Sequence, residues 1–392
     1  MIAIAVTGWA WRTPLGHSVD GAVGRLLAGE RAIAPNPRFD ASTYACPLGA
    51  AIPGDPATGK HARFLKRTAL FGVEAGAEAF AQAKPAAASG RLGLFYAVGG
   101  LRAHWNDMLP ALEGQQPDFA ASWERGLKKL PPFWMLHHLS NNAHALLAAD
   151  LAAKGDGITT GGANAGAQAL AAACDALAAG SVDAAIVVAA DSLLDPETLL
   201  EMGARGALCT GSDPSKVAAP YSAAAAGLVP GEAVASVVLE RAREAGSRAR
   251  AFVEAAESAD GQRSDARPTA VAATATRLAR GDECVIDGAA YAHPHRDTTE
   301  RFALGALTGS DMPLISTAAA TGRLGAATSV VQVIALASLL RLGALPPIAA
   351  LVDPGEGPLV PLTRRRSTTG RSALGVSMGA PGLAAAVRVS LP

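Results

Sequence analysis

The chain has 392 residues, of which 50% are hydrophobic, 17% are charged and 5% are aromatic. Its formal net charge of +0 at pH 7 gives no support for nucleic-acid binding. Near-zero charge with high apolar content favours a protein that buries a large interface with a partner, and the length fits one large domain or two ordinary ones.

In the first part of the chain, short apolar runs alternate with long Ala- and Leu-rich segments. The runs typical of buried strands are residues 2–6, 92–98, 184–188 and 234–239. The segments of helical length are 68–81, 139–153 and 165–179. Polar or Pro/Gly-rich composition predicts loops at 53–60 and 114–118.

The same alternation returns after the charged segment 241–250, which is expected to link two halves. Strands are predicted at 251–255, 284–287, 314–316, 372–377 and 384–390, helices at 268–280, 298–307 and 329–340, and a loop at 353–366. The pattern predicts an α/β protein with two similar βαβ halves, residues 1–247 and 248–392.

The most informative motif is a glycine- and alanine-rich segment that reads Gly157-Ile-Thr-Thr-Gly-Gly-Ala-Asn-Ala-Gly-Ala-Gln-Ala-Leu170. It resembles the nucleophile elbow of the β-ketoacyl synthases, in which a strand ends in Thr-Ala-Cys-Ser-Ser-Gly and turns into a buried helix. Aligned by the Gly-Ala-Gln-Ala-Leu tail, the family's cysteine falls on Ala163. A methyl group cannot attack a thioester, because that chemistry needs a thiolate.

Seven further segments resemble the same family and follow each other in the family's order. They are residues 6–16, 39–40, 132–136, 183–191, 219–232, 316–327 and 375–382. The resemblance covers essentially the whole chain. It implies the thiolase-like fold, with two duplicated βαβ halves in a five-layered α-β-α-β-α arrangement.

The family's first catalytic histidine also has no counterpart here. In the family it precedes an Asp-x-x-Glu pair by eight residues, and the pair formed by Asp297 and Glu300 places that position at Ala289. His293 and His295 lie nearby, but they are out of register.

The remaining catalytic positions are replaced as well. The family's lysine follows Ser-Thr and falls on Ala318, and its second histidine follows the next glycine and falls on Arg323. We hypothesise that Arg323 fills the site by pairing with a carboxylate. Main-chain N–H groups at Ala163 and at the Met378 turn are expected to survive as a residual oxyanion-type turn, because backbone donors do not depend on side chains.

Bulky side chains concentrate in one region of this aromatic-poor chain. The resemblance implies that this region crosses the subunit interface and that partner loops form the floor of an acyl tunnel. Large rigid aromatics and adaptable methionines suit either tunnel walls or plain interface packing. The candidate tunnel or interface residues are Trp105, Met108, Leu109, Phe119, Trp123, Phe133, Trp134 and Met135.

Three basic clusters are candidates for contact with an acidic acyl carrier protein, although such clusters are more often solvated faces. They are Lys60, Arg63, Lys66 and Arg67; Lys128 and Lys129; and Arg364, Arg365 and Arg366.

The cysteines and the apolar runs indicate which cellular compartment the protein occupies and whether it binds a metal. Cys46, Cys174, Cys209 and Cys284 are far apart and form no Cys-x-x-Cys, so free thiols in a reducing compartment are expected, and no metal or cofactor is. The apolar N-terminus lacks the basic region of a signal peptide, and no uninterrupted run reaches the ~20 residues of a membrane span. A soluble cytoplasmic protein without a membrane span is expected.

The sequence therefore predicts a ketosynthase-like subunit without independent activity, similar to the chain-length factors of type II polyketide systems, and nearer to those of aryl-polyene systems. It would form a heterodimer, or a higher assembly, with an active β-ketoacyl synthase and shape the tunnel for elongation on acyl carrier protein. Two alternatives stay open. One is a malonyl-carrier-protein decarboxylase or unusual acyltransferase that uses His293 or His295, and the other is a homodimeric acyl-binding scaffold.

Overall fold

A computed structural model describes residues 2–57, 59–99, 126–130, 132–259, 267–309, 311–379 and 383–392. Within them lie the strands β1 Ile4–Arg12, β2 Ala34–Pro35, β3 Leu48–Gly49, β4 Leu92–Val98, β5 Gly157–Gly161, β6 Ala184–Ser192, β7 Glu232–Arg241, β8 Ala251–Ala259, β9 Ile286–Asp287, β10 Pro313–Ile315, β11 Ala344–Leu345, β12 Val360–Pro361, β13 Arg366–Ser367, β14 Ser372–Met378 and β15 Leu383–Ser390. The α-helices there are α1 Val19–Leu27, α2 Arg67–Ala83, α3 Trp134–His138, α4 Asn142–Asp150, α5 Ala165–Ala179, α6 Pro196–Ala204, α7 Ala242–Ala245, α8 Arg267–Thr276, α9 Pro294–Thr308, α10 Thr317–Thr321 and α11 Thr328–Leu342.

Two groups of strands repeat one pairing scheme. In the first, β4 lies parallel between β5 and β6, β6 pairs antiparallel with β7, and β7 pairs antiparallel with β1. In the second, β9 lies parallel between β10 and β14, β14 pairs antiparallel with β15, and β15 pairs antiparallel with β8. The fold is thus a duplication, and the predicted boundary near residue 247 falls in the connection between β7 and β8.

The two groups of strands meet at β1 and β8. Among the described residues, Ala5 pairs with Phe252 and Val6 with Ala251. This short link joins the strands into the order β12-β10-β9-β14-β15-β8-β1-β7-β6-β4-β5. Within the part of the chain that the structure describes, β5 pairs only with β4 and forms one edge of the sheet.

Helices cover both faces of each group of strands. The helix α2 packs on β1, β6 and β7, while α8 packs on β8, β14 and β15. Between the two groups, α5 contacts β4, β6 and β8, and α11 contacts β7, β14 and β15. This is the five-layered thiolase-like arrangement. Because both faces are covered, strands such as β6 are continuous apolar runs rather than alternating ones.

The central helix α11 is buried on every side from Ser329 to Leu340, as expected for a helix that is apolar all round. By length and hydropathy alone, the 18 residues Gly325–Leu342 could cross a membrane, which the sequence reading did not anticipate. In the fold, 83% of that window is buried inside the protein.

Several predicted elements are confirmed and others are wrong in extent. The strand predicted at 92–98 and the helix predicted at 165–179 are β4 and α5, with the same bounds. The helix predicted at 139–153 is shorter, since α4 spans Asn142–Asp150 and the separate helix α3 precedes it. The first strand is longer than the predicted 2–6, and α1 and α6 were not predicted.

Candidate functional site

The elbow after β5 keeps the sharp turn that the sequence suggested. Gly162 has a φ of +104°, a backbone region that favours glycine. Its N–H donates to the carbonyl of Val98 at 3.0 Å, and the N–H of Ala165 donates to the carbonyl of Gly162 at 3.0 Å. The turn thus carries the chain from β5 into α5, with half-buried Ala163 at the bend.

The first turn of α5 packs tightly on the second half of the chain. A Cβ added at Gly166 would lie 2.3 Å from the carbonyl oxygen of Ala326, in the 3₁₀ turn Gly325–Ala327. The N–H of Ala326 donates to the carboxylate of Asp191 at 2.8 Å. Helix, turn and the end of β6 therefore hold one another in place.

Arg323 lies beside two other positions that the sequence analysis aligned with catalytic residues of the family, Ala289 and Ala318. Its guanidinium donates to the carbonyl of Met378 and, at 3.4 Å, to the carbonyl of Ala289. Ala318 lies in α10, one short turn earlier in the chain than Arg323. The assignment of these positions to catalytic residues of the family stays a prediction.

Arg323 is anchored in its main chain as well as in its side chain. Its N–H donates to the carbonyl of Val229 at 2.8 Å, and its own carbonyl accepts from the N–H of Gly231 at 2.8 Å. The hypothesis of a carboxylate pair stays a prediction; the two hydrogen bonds described for the guanidinium end on the main-chain carbonyls of Ala289 and Met378. The adjoining cavity measures about 20 Å³, close to the space of a single water molecule.

Asn164 was missed by the sequence reasoning, although it directly follows Ala163. It is 4% exposed, and neither amide atom has a hydrogen-bond partner among the described residues. A Cβ added at Gly379 would lie 2.8 Å from its Oδ1. The elbow and the guanidinium of Arg323 thus meet the same turn, Met378–Gly379.

The retained Asp-x-x-Glu pair organises the loop that carries Ala289. Glu300 accepts from the N–H of Ala289 at 2.7 Å and from the hydroxyl of Tyr221 at 3.0 Å. Asp297 accepts from the N–H groups of Tyr221 at 3.0 Å and of Tyr291 at 2.9 Å. Burial raises the pKa of Glu300 to about 8 and that of Asp297 to about 6.

His293 and His295 lie apart from this cluster. Both side chains are exposed at the start of α9, and the N–H of His293 donates to Asp297 at 3.1 Å. The positions that replace the catalytic residues are buried or half-buried. A reaction at the elbow that uses either histidine is therefore not supported by the geometry.

A larger cavity of about 330 Å³ opens on the α2 side of the sheet. Its walls come from the start of α2, the ends of β4 and β6, and residues 137–140. Leu65, Val98 and the fully buried ring of Tyr96 supply apolar surface. The volume is at the lower end of the range for ligand pockets.

Glu232 lies at this cavity, is 1% exposed, and forms hydrogen bonds with the neighbouring charged and polar groups. Its carboxylate accepts from Arg38 at 2.5 Å, from Arg67 at 2.8 Å, from the N–H of Ile52 at 2.9 Å and from Ser192 at 3.0 Å. We call Glu232 and these four donors the Glu232 clamp, because a buried carboxylate with this many donors holds the segments around it in place.

Three of the candidate tunnel or interface residues, Phe133, Trp134 and Met135, lie within the described residues, and two of them are exposed. Phe133 is 43% exposed with its ring 5.4 Å from that of Phe64, and Met135 is 63% exposed. Trp134 packs on His138 with ring centroids 4.8 Å apart. The other candidates, Trp105, Met108, Leu109, Phe119 and Trp123, lie outside the described residues.

The first basic cluster is partly engaged within the protein. Lys60 pairs with Asp150 at 2.5 Å, Arg67 contributes to the Glu232 clamp, and the guanidinium of Arg63 lies 4.5 Å over the ring of Phe64. Lys66 is half-buried at the start of α2.

The other two basic clusters, Lys128 with Lys129 and Arg364 to Arg366, are exposed. Arg366, Glu283 and Met312 line the same surface pocket. Glu283 precedes β9 in the chain, and Met312 precedes β10. The Arg364–366 cluster is therefore at the opposite end of these strands from Ala289.

Comparisons with known proteins agree with this geometry. Residues 1–245 match the family "Beta-ketoacyl synthase, N-terminal domain". The chain is 33% identical over 206 residues to the actinorhodin polyketide β-ketoacyl synthase 2 of Streptomyces coelicolor, a match that covers 48% of this chain and only 50% of that relative.

Two solved structures share the fold across the whole chain. A β-ketoacyl synthase from Burkholderia phymatum is 20% identical, with a TM-score of 0.87 and 100% of both chains covered. The ishigamide ketosynthase/chain length factor is 20% identical, with a TM-score of 0.85 and coverage of 100% of this chain and 99% of that one.

Proposed function

This chain belongs to the β-ketoacyl synthase family, and we propose that it is a non-catalytic, chain-length-factor-like subunit that pairs with an active β-ketoacyl synthase. The observation that carries the proposal is the position of Arg323. Its guanidinium donates to the main-chain carbonyls of Ala289 and Met378, which supports the assignment of Arg323 to the position where the family's reaction needs an imidazole.

The chemistry supports the same conclusion. Condensation needs a thiolate nucleophile at the elbow, and Ala163 supplies none. Ala289, Ala318 and Arg323 stand at the family's first histidine, lysine and second histidine, and none of them exchanges protons near neutral pH. Main-chain donors at Ala163 and Met378 can still bind a carbonyl, but a bound carbonyl without a nucleophile is not turned over.

A partner is supported by the edge of the sheet. The strand β5 pairs with β4 along one side and forms the end of the strand order, and Ile158 on it is 47% exposed. Phe133 and Met135 add exposed apolar surface. Unpaired strand edges and apolar patches favour association with another chain.

The substrate side of the proposal concerns chain length. We infer that the apolar residues in and near 105–135 form part of the tunnel wall for a chain elongated on an acyl carrier protein. The subclass follows from the sequence resemblance, which is nearer to aryl-polyene systems than to aromatic polyketide systems. A cytoplasmic location and the possibility of a higher assembly belong to the same proposal.

Co-purification tests the proposal. The tagged chain is co-expressed with an intact synthase from the same gene neighbourhood, and condensation of malonyl-loaded carrier protein is measured. We expect a one-to-one complex that is inactive when the partner's cysteine is replaced by alanine. Failure to form a complex, or condensation by this chain alone, would contradict the proposal.

The same samples decide between the alternatives. A decarboxylase that uses His293 or His295 would release carbon dioxide from malonyl carrier protein without a partner and lose that activity in His293→Ala or His295→Ala. A homodimeric scaffold would elute as a dimer of this chain even when the synthase is present. The exposure of both histidines weighs against the first alternative.

A further inference from the structure

We propose that Arg323 bars acyl thioesters on a pantetheine arm from the elbow of this subunit, so that the arm is received only at the partner's site. The inference deepens the proposed function and rests on it for the identity of the arm. It goes beyond loss of catalysis, because an inert elbow could still admit and hold a thioester.

The side chain is placed to close the route. Arg323 is 8% exposed, and its guanidinium links the Met378 turn to the loop that carries Ala289. Its main chain is fixed on both sides, by Val229 and by Gly231. An arginine held at both ends does not leave its position without breaking hydrogen bonds in a buried site.

The space beside Arg323 is too small for the arm. The adjoining cavity of about 20 Å³ is lined by residues that include Arg31, Val217, Ala292, Ala318 and Arg323 itself. One water molecule fills such a volume. Arg31 and Arg323 are the two largest side chains in this lining, and the guanidinium of Arg323 also reaches the carbonyl of Met378.

The elbow and Arg323 both reach the turn Met378–Gly379. Asn164, which follows Ala163, contacts Gly379, while the guanidinium of Arg323 contacts the preceding residue, Met378. We therefore expect that removal of the Arg323 side chain opens the outer cavity towards the elbow.

Thiol labelling tests the barrier directly. An Ala163→Cys variant places a thiol at the elbow, and a pantetheine chloroacetamide serves as the reagent. The thiolate sulfur attacks the chloromethyl carbon, a C–S bond forms, chloride leaves, and the thiol proton passes to the buffer. Mass spectrometry of peptides locates the adduct at residue 163.

We expect no adduct in the Ala163→Cys variant and full modification in the Ala163→Cys/Arg323→Ala variant. Arg301→Ala in the Ala163→Cys background is the matched control. Arg301 is also a buried arginine, and its guanidinium donates to the carbonyls of Gly357 at 2.6 Å and Leu359 at 2.5 Å. This control should stay unlabelled, which separates loss of the barrier from general loosening of the fold.

The native cysteines provide an internal reference. Burial raises the pKa of Cys46 to about 11 and that of Cys174 to about 12, so both remain thiols at neutral pH. Labelling confined to residue 163 shows that the reagent reaches the elbow of the folded protein, whereas labelling of these cysteines shows that the protein has unfolded. If Arg323→Ala unfolds the chain, Arg323→Gln keeps an amide donor on a shorter side chain, and it should also permit the adduct.

Two results would overturn the inference. One is equal labelling of the Ala163→Cys variant with and without Arg323. The other is a folded double variant that the reagent cannot modify. Neither depends on complex formation, so a chain that fails to bind the synthase refutes the proposed function while the labelling still decides the role of Arg323.

Discussion

Gly166 offers a test of why the sharp elbow is kept in a chain that has Ala163 at the bend. Its Cα faces the 3₁₀ turn of the second half, where an added Cβ would lie 2.3 Å from the carbonyl oxygen of Ala326. An ordinary contact needs about 3.5 Å, so the Gly166→Ala variant must move α5 or the turn by about 1 Å. The fold, not the chemistry, therefore requires glycine there.

The magnitude follows from a matched pair of variants. Gly24 lies in α1 with nothing within 4 Å of an added Cβ. Gly24→Ala should be neutral or stabilise by about 0.5–1 kcal/mol, the difference in helix propensity. Gly166→Ala adds the cost of overpacking, about 1–3 kcal/mol. The difference in free energy of unfolding between the two variants therefore measures the steric clash at Gly166.

Urea denaturation of the two variants and the parent protein is the assay. We expect a lower midpoint for Gly166→Ala and an unchanged or higher midpoint for Gly24→Ala. Equal midpoints for the two variants would refute the close packing of α5 on the second half. That result would also remove the structural explanation for the retained elbow.

Three further predictions address the buried acids and the sheet edge. Because burial holds the folded-state pKa of Glu300 near 8, above its ordinary 4.5, stability should fall as pH rises through that interval, and Glu300→Gln should flatten the fall; an unchanged pH profile of unfolding would contradict this. Glu232→Gln breaks a buried clamp and should cost about 3 kcal/mol in urea unfolding, whereas Glu30→Gln, in an exposed ion pair, should cost no more than about 1 kcal/mol. Ile158→Lys on the edge strand should abolish co-purification with the synthase, while Phe302→Lys, 58% exposed on α9, should not; retention of the complex in both would place the interface elsewhere.

The central strands and helices could be predicted from the sequence because their patterns are uninterrupted. The strand at 92–98 and the helix at 165–179 are apolar runs bounded by glycine, basic or polar residues. The strand is buried on both faces, and the helix is buried along one side. The helices α1 and α6 were missed because their signals are local. Asp195 caps α6 through the N–H of Thr198 at 2.9 Å, a contact that composition alone does not show.

The candidate site was predictable as a set of positions but not as an arrangement. Register with the family motifs placed Ala289, Arg323 and Met378, and the structure brings these residues into contact. The acceptors of Arg323 could not be predicted, because main-chain carbonyls are present at every residue and leave no mark in the sequence. Asn164 carried no signal beyond its place next to Ala163, and only the packed structure shows that its buried amide has no hydrogen-bond partner among the described residues.

The most direct test of the central claim is the stoichiometry of acylation. The purified complex is incubated with acyl-loaded carrier protein in the absence of malonyl groups, and both chains are weighed by intact-protein mass spectrometry. We expect one acyl group per complex, carried by the partner, and none on this chain. An acyl adduct on this chain would contradict it.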